Sequence, residues 1–242
     1  MNHLLASLSR KDGAALRRIC TPHTLEVGVD LHQPGKPLDH VYFPLEGYVS
    51  MVADLAGVHS VEVGLVGFEG MLGAQVALGV ATIPTRALVQ GEGTALRAGL
   101  AAFRRELASR PALQRRVHRY LYVRMEQLTG MAPCMRFHLI DSRLARWLLM
   151  SHDRARRDAF RITQEFLSYM LGVRRAGITR AAVALQERGL ISYSRGTLVI
   201  LDRKALEAAA CTCYAADCAS YERLLGNPFV AGAHHARTAH SA

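Results

Sequence analysis

The sequence predicts an α+β fold: an N-terminal β jelly roll, a long helix and a C-terminal winged helix-turn-helix. Three observations predict it. Residues 22–100 break into short strand-like runs separated by glycine and proline. From Leu100 onward the apolar residues recur at helical spacing. Between Ile162 and Leu201 a helix, a glycine, a second helix and a hairpin follow one another.

Composition bounds the alternatives. The chain has 242 residues, 50% of them hydrophobic, which is enough for two modest domains with buried cores. Its formal net charge is +10. A basic chain suits nucleic acid or an anionic membrane, and equally the plain surface of a basic enzyme. Distribution is more informative. Residues 1–138 hold 15 Lys/Arg against 11 Asp/Glu, whereas the much shorter stretch 139–210 holds 13 against 7. A polyanion is therefore expected to bind the C-terminal part. Met1 to Lys11 lacks the apolar stretch of an export signal, and no run of about 18 apolar residues is present to span a membrane. The five cysteines, odd in number and irregular in spacing, read as reduced thiols, so a cytoplasmic location without membrane contact is expected.

Taken in order, residues 4–20 form an amphipathic pattern through Leu4, Leu5, Leu8, Leu16 and Ile19. Strands are expected at His40–Phe43, Tyr48–Ala53, Ser60–Leu65, Arg86–Gln90 and Thr94–Ala98, with turns at glycines such as Gly47 and Gly57. Pro111 suits the first turn of a helix. Beyond it Leu113, Val117, Leu121, Met125, Leu128 and Met131 fall at spacings of four and three, with Arg115, Arg116, Arg119 and Arg124 mostly off the stripe. So narrow a seam on a long helix suits a two-fold partner helix, and Leu113, Val117, Leu121, Met125 and Leu128 are the expected homodimer contacts. Pro133 is expected to interrupt or bend this helix. Another helix covers Asp141–His152, with Leu144, Trp147, Leu148 and Leu149 inward, and Asp153–Asp158 reads as a charged linker.

The most specific signal follows. Thr163 suits an N-cap, and Phe166, Leu167, Met170 and Leu171 a buried face. Gly172 ends that helix, and a second runs from Arg174 to Arg188 with Ile178, Ala181, Ala182 and Leu185 inward. Ile191–Tyr193 and Thr197–Leu201 make a hairpin around Ser194-Arg195-Gly196, a wing with a basic tip. The outward N-terminal end of the second helix carries Arg174, Arg175, Thr179 and Arg180, at the end that enters the major groove in helix-turn-helix proteins. Arginine's fork fits guanine O6 and N7 and also grips phosphate. Expected contacts to double-stranded DNA are thus Thr163, Gln164, Arg174, Arg175, Thr179, Arg180 and Arg195.

This segment resembles the cyclic-AMP-receptor and fumarate-nitrate-regulator (Crp/Fnr) family in Ile162-Thr163-Gln164-Glu165, Leu171-Gly172-Val173, Arg175, Arg180, Leu185 and Gly189-Leu190-Ile191. Tyr42-Phe43-Pro44, Gly47 and the stretch from Glu62 to Gly73 resemble sensor strands of its members. The resemblance implies a cyclic-nucleotide-binding-type β jelly roll at 1–110, a dimerisation helix at 111–138, a winged helix at 139–215 and a partly disordered tail at 216–242. It implies a homodimeric transcription regulator on a near-palindromic operator, with RNA polymerase as a further partner. Two departures stand out. Where well-known members carry Glu after the first arginine, this chain has Ala176, followed by Gly177, a poor helix residue. The family's cyclic-phosphate arginine is replaced by Pro84, with Arg86 two places on and on the same strand face. The implied pocket comprises Gly67, Glu69, Gly70, Thr85, Arg86 and Thr129. An unidentified small-molecule effector is expected rather than cyclic AMP, with an Arg86-based nucleotide site as the alternative.

Other chemistry has weaker support. Cys211, Cys213 and Cys218 cluster without the paired spacing of structural zinc, and Cys134 with His138 is an i, i+4 pair. The resemblance places iron–sulfur cysteines near the N-terminus, where this chain has Cys20. No metal and no cofactor is assigned. A jelly-roll metal-dependent enzyme would need a His-x-His pair, but His23, His32, His40 and His59 are scattered, and neither a Gly-x-Ser-x-Gly elbow nor a phosphate loop is present. No enzymatic activity is expected. The stretch after Asn227 has no periodicity and is expected to be disordered.

Overall fold

A computed structural model describes residues 1–55 and 59–229. Gly57 and most of the stretch after Asn227 lie outside the described residues.

The N-terminal pattern is two short helices, α1 (His3–Ala6) and α2 (Arg10–Arg18), in place of one. Ser9 divides them: its side chain accepts a hydrogen bond from Asp12 N and restarts the helix. Two antiparallel sheets follow. One pairs β1 (Cys20–Leu25), β7 (Gly93–Gly99) and β3 (His40–Pro44) in that order. The other orders β2 (Asp30–His32), β6 (Arg86–Gly91), β4 (Tyr48–Leu55) and β5 (His59–Val66). Leu25, Val49, Leu72, Ala87, Val89 and Ala95 pack between them. Strands β1 and β2 escaped sequence reading because β1 buries only Leu25 fully and contains Pro22, while β2 has three residues. A 3-10 turn at Ala74–Leu78 closes one side.

Helix α3 (Leu100–Ser109) leads into α4 (Pro111–Phe137), which starts on Pro111 as expected. Pro133 does not end α4. Both Pro133 and Thr129, whose carbonyl loses its partner, are exposed, so water can satisfy the freed group. The apolar stripe of α4 divides between two faces. Leu113 (3% exposed) and Val117 (1%) are not partner contacts: they are buried in their own chain's cluster with Phe103, Leu107 and Tyr221. Leu121 is half-buried, whereas Met125 (60%) and Leu128 (46%) face outward.

Helix α5 (Ile140–Ala155) runs past His152, so Asp153 and Arg154 are buried helix residues, not a linker. Arg156, at φ 53°, ends it. The C-terminal unit continues through β8 (Ala159–Arg161), α6 (Gln164–Leu171), α7 (Arg175–Glu187), β9 (Ile191–Ser194), β10 (Thr197–Ile200) and α8 (Arg203–Ala209). Leu144, Leu148, Leu167, Ile178, Leu185 and Leu198 form its core. Three-residue β8 is too short to show a period. The chain does not become a tail at residue 216: α9 (Cys213–Leu225) packs on α4 and buries Tyr221 and Leu225.

The winged unit rests on the outer face of the four-stranded sheet. Val52 belongs to its core cluster, and Gln90 Nε2 donates to Met170 Sδ at 3.2 Å.

Candidate nucleic-acid interface

The reading helix is set up by its neighbours. Thr163 caps α6, its Oγ1 accepting from Phe166 N at 3.1 Å. Gly172 turns the chain at φ 61°, a conformation glycine adopts without strain. Helix α7 then opens on Arg174, which gives no side-chain cap. Its first-turn N–H groups thus lack a side-chain acceptor, and the helix dipole makes that end positive. Gly177, awkward in a helix, has a packing reason: a Cβ there would lie 2.9 Å from Ile140 Cδ1. Ala176 and Gly177 therefore leave the start of α7 regular.

Arg174, Arg175, Thr179 and Arg180 are exposed on α7. The Thr179 hydroxyl lies 2.8 Å from Gln164 Oε1 and 3.1 Å from Arg175 O, so it links the first turns of α6 and α7. This orients Gln164, whose amide nitrogen remains a donor for phosphate. Across the wing, Arg195 (φ 50°) and Gly196 (φ 76°) form a two-residue turn of the mirror type that suits hairpins. The wing is tied to the residue just before the α6 cap: Tyr193 Oη donates to Ile162 O at 2.8 Å, and Ile162 N to Gly196 O at 2.8 Å. Arg195 is exposed at its tip. None of Arg174, Arg175, Arg180 and Arg195 has an ion-pair partner among the described residues. The structure thus brings the seven expected DNA contacts onto one winged unit, Thr163 through a capping role.

The implied effector pocket does not assemble as a unit. Glu69 is fully buried, accepting from Gly67 N at 3.0 Å and from Arg154 Nε at 2.9 Å. A Cβ on Gly67 would strike Arg154, and one on Gly70 would strike Tyr120. This turn anchors α4 and α5 and leaves no room for a ligand. Arg86 alternates with the inward Ala87 and so faces out, 3.8 Å from both Asp30 and Asp54. Thr129 is exposed and donates to Met125 O. Of the six, Thr85 alone lines a cleft of about 240 Å³ between barrel and α4, together with Met51, Val63, Pro84, Tyr120 and Leu128.

Sequence reading missed Glu62. It alternates with Val61 and Val63 as a solvent-facing strand residue would, but α5 covers that face. Ser50 Oγ donates to Glu62 Oε2 at 2.5 Å, and Trp147 Nε1 to Oε1 at 3.0 Å. Burial pushes its pKa up to about 7 despite these two donors. The cysteine trio also rearranges. Cys218 stays apart, while the ligand atoms of Cys134, His138, Cys211 and Cys213 lie within 4.8 Å of one another. The spacing of Cys134 and His138 was legible, but nothing local to them indicates that residue 211 returns there.

The winged helix exposes an arginine face and is carried on a two-sheet β domain. Residues 142–209 match the Crp-like helix-turn-helix domain. The C-terminal unit is thus a Crp-like helix-turn-helix domain. Solved structures share its fold. A Crp/Fnr-family protein of Eubacterium rectale is 16% identical with a TM-score of 0.66, covering 85% of this chain and 96% of its own. FixK2 of Bradyrhizobium japonicum is 13% identical with a TM-score of 0.67, over 80% and 98%. The c-di-GMP-responsive regulator CLP of Xanthomonas campestris is 17% identical with a TM-score of 0.63, over 80% and 100%. Comparison with curated proteins gives no match. Among the described residues, no helix is long and apolar enough to cross a membrane.

Proposed function

We propose that the protein is a homodimeric, sequence-specific DNA-binding regulator whose barrel answers to a small molecule other than a cyclic nucleotide. One observation carries the DNA reading: the uncapped N-terminal end of α7 presents Arg174, Arg175 and Arg180 without ion-pair partners, flanked by the Arg195 wing and by Gln164. Backbone N–H groups and guanidinia at one helix end suit phosphate and guanine together. The dimer reading rests on a line along α4 at spacings of four and three: Leu121, Met125, Leu128, Ala132 and Met135, all exposed or half-exposed. A two-fold pair of such helices sets the two α7 helices about one DNA turn, roughly 34 Å, apart.

The effector reading rests on the cleft beside Thr85. Its walls are mainly apolar, and its one lining guanidinium, Arg124, is engaged with Leu65 O at 2.8 Å and Gln127 Oε1 at 2.9 Å. With Arg86 held outside by two carboxylates, a cyclic phosphate lacks its usual cation, and an apolar molecule suits the walls better. Selection of bound genomic fragments by the purified protein, with and without cell extract, tests both parts. A shared near-palindromic site is expected. Recovery of random fragments in both arms would overturn the sequence-specific reading, and an extract that changes nothing would overturn the effector reading.

A further inference from the structure

Four potential metal ligands converge where the barrel's long helix meets the DNA-binding unit. Cys134 lies in the last turn of α4, and His138 is the residue that ends it. Cys211 comes from the segment between α8 and α9, and Cys213 opens α9, more than seventy residues later. Cys134 Sγ is 3.7 Å from Cys211 Sγ, and Cys213 Sγ is 3.6 Å from His138 Nδ1. A disulfide would bring sulfurs to about 2.05 Å. A tetrahedral zinc site has Zn–S arms of about 2.3 Å and Zn–N arms of about 2.0–2.1 Å, which give S···S edges of about 3.8 Å and S···N edges of about 3.6 Å. The two observed separations match those edges, and all four ligand atoms lie within 4.8 Å of one another.

We propose that Cys134, His138, Cys211 and Cys213 bind one tetrahedral divalent metal ion of the zinc class, which clasps the end of α4 to the start of α9 and the residues just before it.

The surroundings suit the ion. Three thiolates around a divalent cation leave one negative charge, and Arg143 and Arg146 of α5 are near enough to interact electrostatically with these thiols. Cys213 lines a cleft of about 360 Å³ between α4 and α9 that gives access from solvent. Three cysteines and one histidine form a closed donor set, the pattern of structural zinc with no open position for catalysis. Convergence within 4.8 Å fits a single ion, not the spread corners of a multi-iron cluster. On binding, the three thiol protons pass to solvent, so affinity falls with falling pH. The ion would fix the angle between α4 and α5, because His138 and Leu139 are the extended residues joining them.

The metal content of the reduced full-length protein tests this without reference to DNA. One zinc per chain is expected under competition with a chromophoric chelator, and cobalt loading is expected to give a thiolate-to-metal charge-transfer band. His138→Ala should weaken zinc by more than the roughly 100-fold that loss of an outer hydrogen bond can cost. Cys134 and Cys211 are buried, so alkylation of the wild-type protein provides an arm independent of folding. Zinc should shield Cys134, Cys211 and Cys213 while Cys20 keeps its rate. Full zinc content in the Cys134→Ser/Cys211→Ser protein would place the metal at other ligands and overturn the proposal. So would no zinc in the wild type, a Cys134–Cys211 disulfide in the reduced preparation, or iron with sulfide in place of zinc.

Discussion

Arg154 Nε lies 2.9 Å from Glu69 Oε1 with both side chains sealed from water, so an ion pair ties the DNA-binding unit's leading helix to a turn of the barrel. Arg154 also stacks over Phe229, 5.3 Å from the ring centroid. Losing one partner leaves an uncompensated buried charge. Arg154→Met is expected to cost about 3–5 kcal/mol in denaturant unfolding. Replacing both groups with apolar residues should recover part of that loss, since the remaining charge goes too. A single-variant cost under about 1 kcal/mol would show that water reaches the pair and that it does not hold the two units together.

A second tie is sensitive to pH. Glu62 on β5 accepts from Trp147 of α5, and burial raises its pKa from 4.5 to about 7. Since the folded value lies above the unfolded one, the protonated carboxyl's contribution is fully present below about 4.5 and is gone once pH has risen through about 7. The shift corresponds to roughly 3 kcal/mol. Glu62→Gln cannot ionise; its amide oxygen can still accept from Trp147 Nε1, and its amide nitrogen can donate to Ser50 Oγ. Its stability relative to wild type is expected to rise between pH 5 and 8, read from paired unfolding curves. Parallel curves would mean that Ser50 and Trp147 hold Glu62 ionised throughout.

On DNA, Arg175→Ala is expected to cost roughly 1–3 kcal/mol on the selected site and to relax its sequence preference. Arg195→Ala should weaken all sequences alike and reduce the salt slope by about 1, as a phosphate contact does. These are binding titrations at several salt concentrations. Equal losses for Arg175→Ala on specific and random DNA would reassign that residue to the backbone.

The sequence made legible whatever a local period or turn encodes. The five strands between His40 and Gly99 and the order from Thr163 to Ile200 were of this kind, because capping, glycine turns and alternation are neighbour effects. What long-range packing decides was not legible. Glu62 looks solvated until α5 covers it, and Asp153-Arg154 looks like a linker until Glu69 and Arg203 supply partners. A two-residue step would put Arg86 on the face of Pro84 in a continuous strand, but Pro84 precedes β6 and lines the cleft while Arg86 turns toward Asp30 and Asp54.

The same distinction governs the dimer test. A heptad pattern shows that α4 has an apolar side, and only packing shows which side its own chain already covers. Val117 is enclosed by the chain's own cluster with Phe103 and Tyr221, so Val117→Glu is expected to lower thermal stability at any protein concentration. Met125 and Leu128 are exposed, so Met125→Glu/Leu128→Glu should leave the monomer folded while like charges face each other across the two-fold seam. Light scattering is expected to give the monomer mass for that double variant, and operator affinity should fall as the second half-site contact is lost. A dimer of unchanged mass would move the seam off this face of α4.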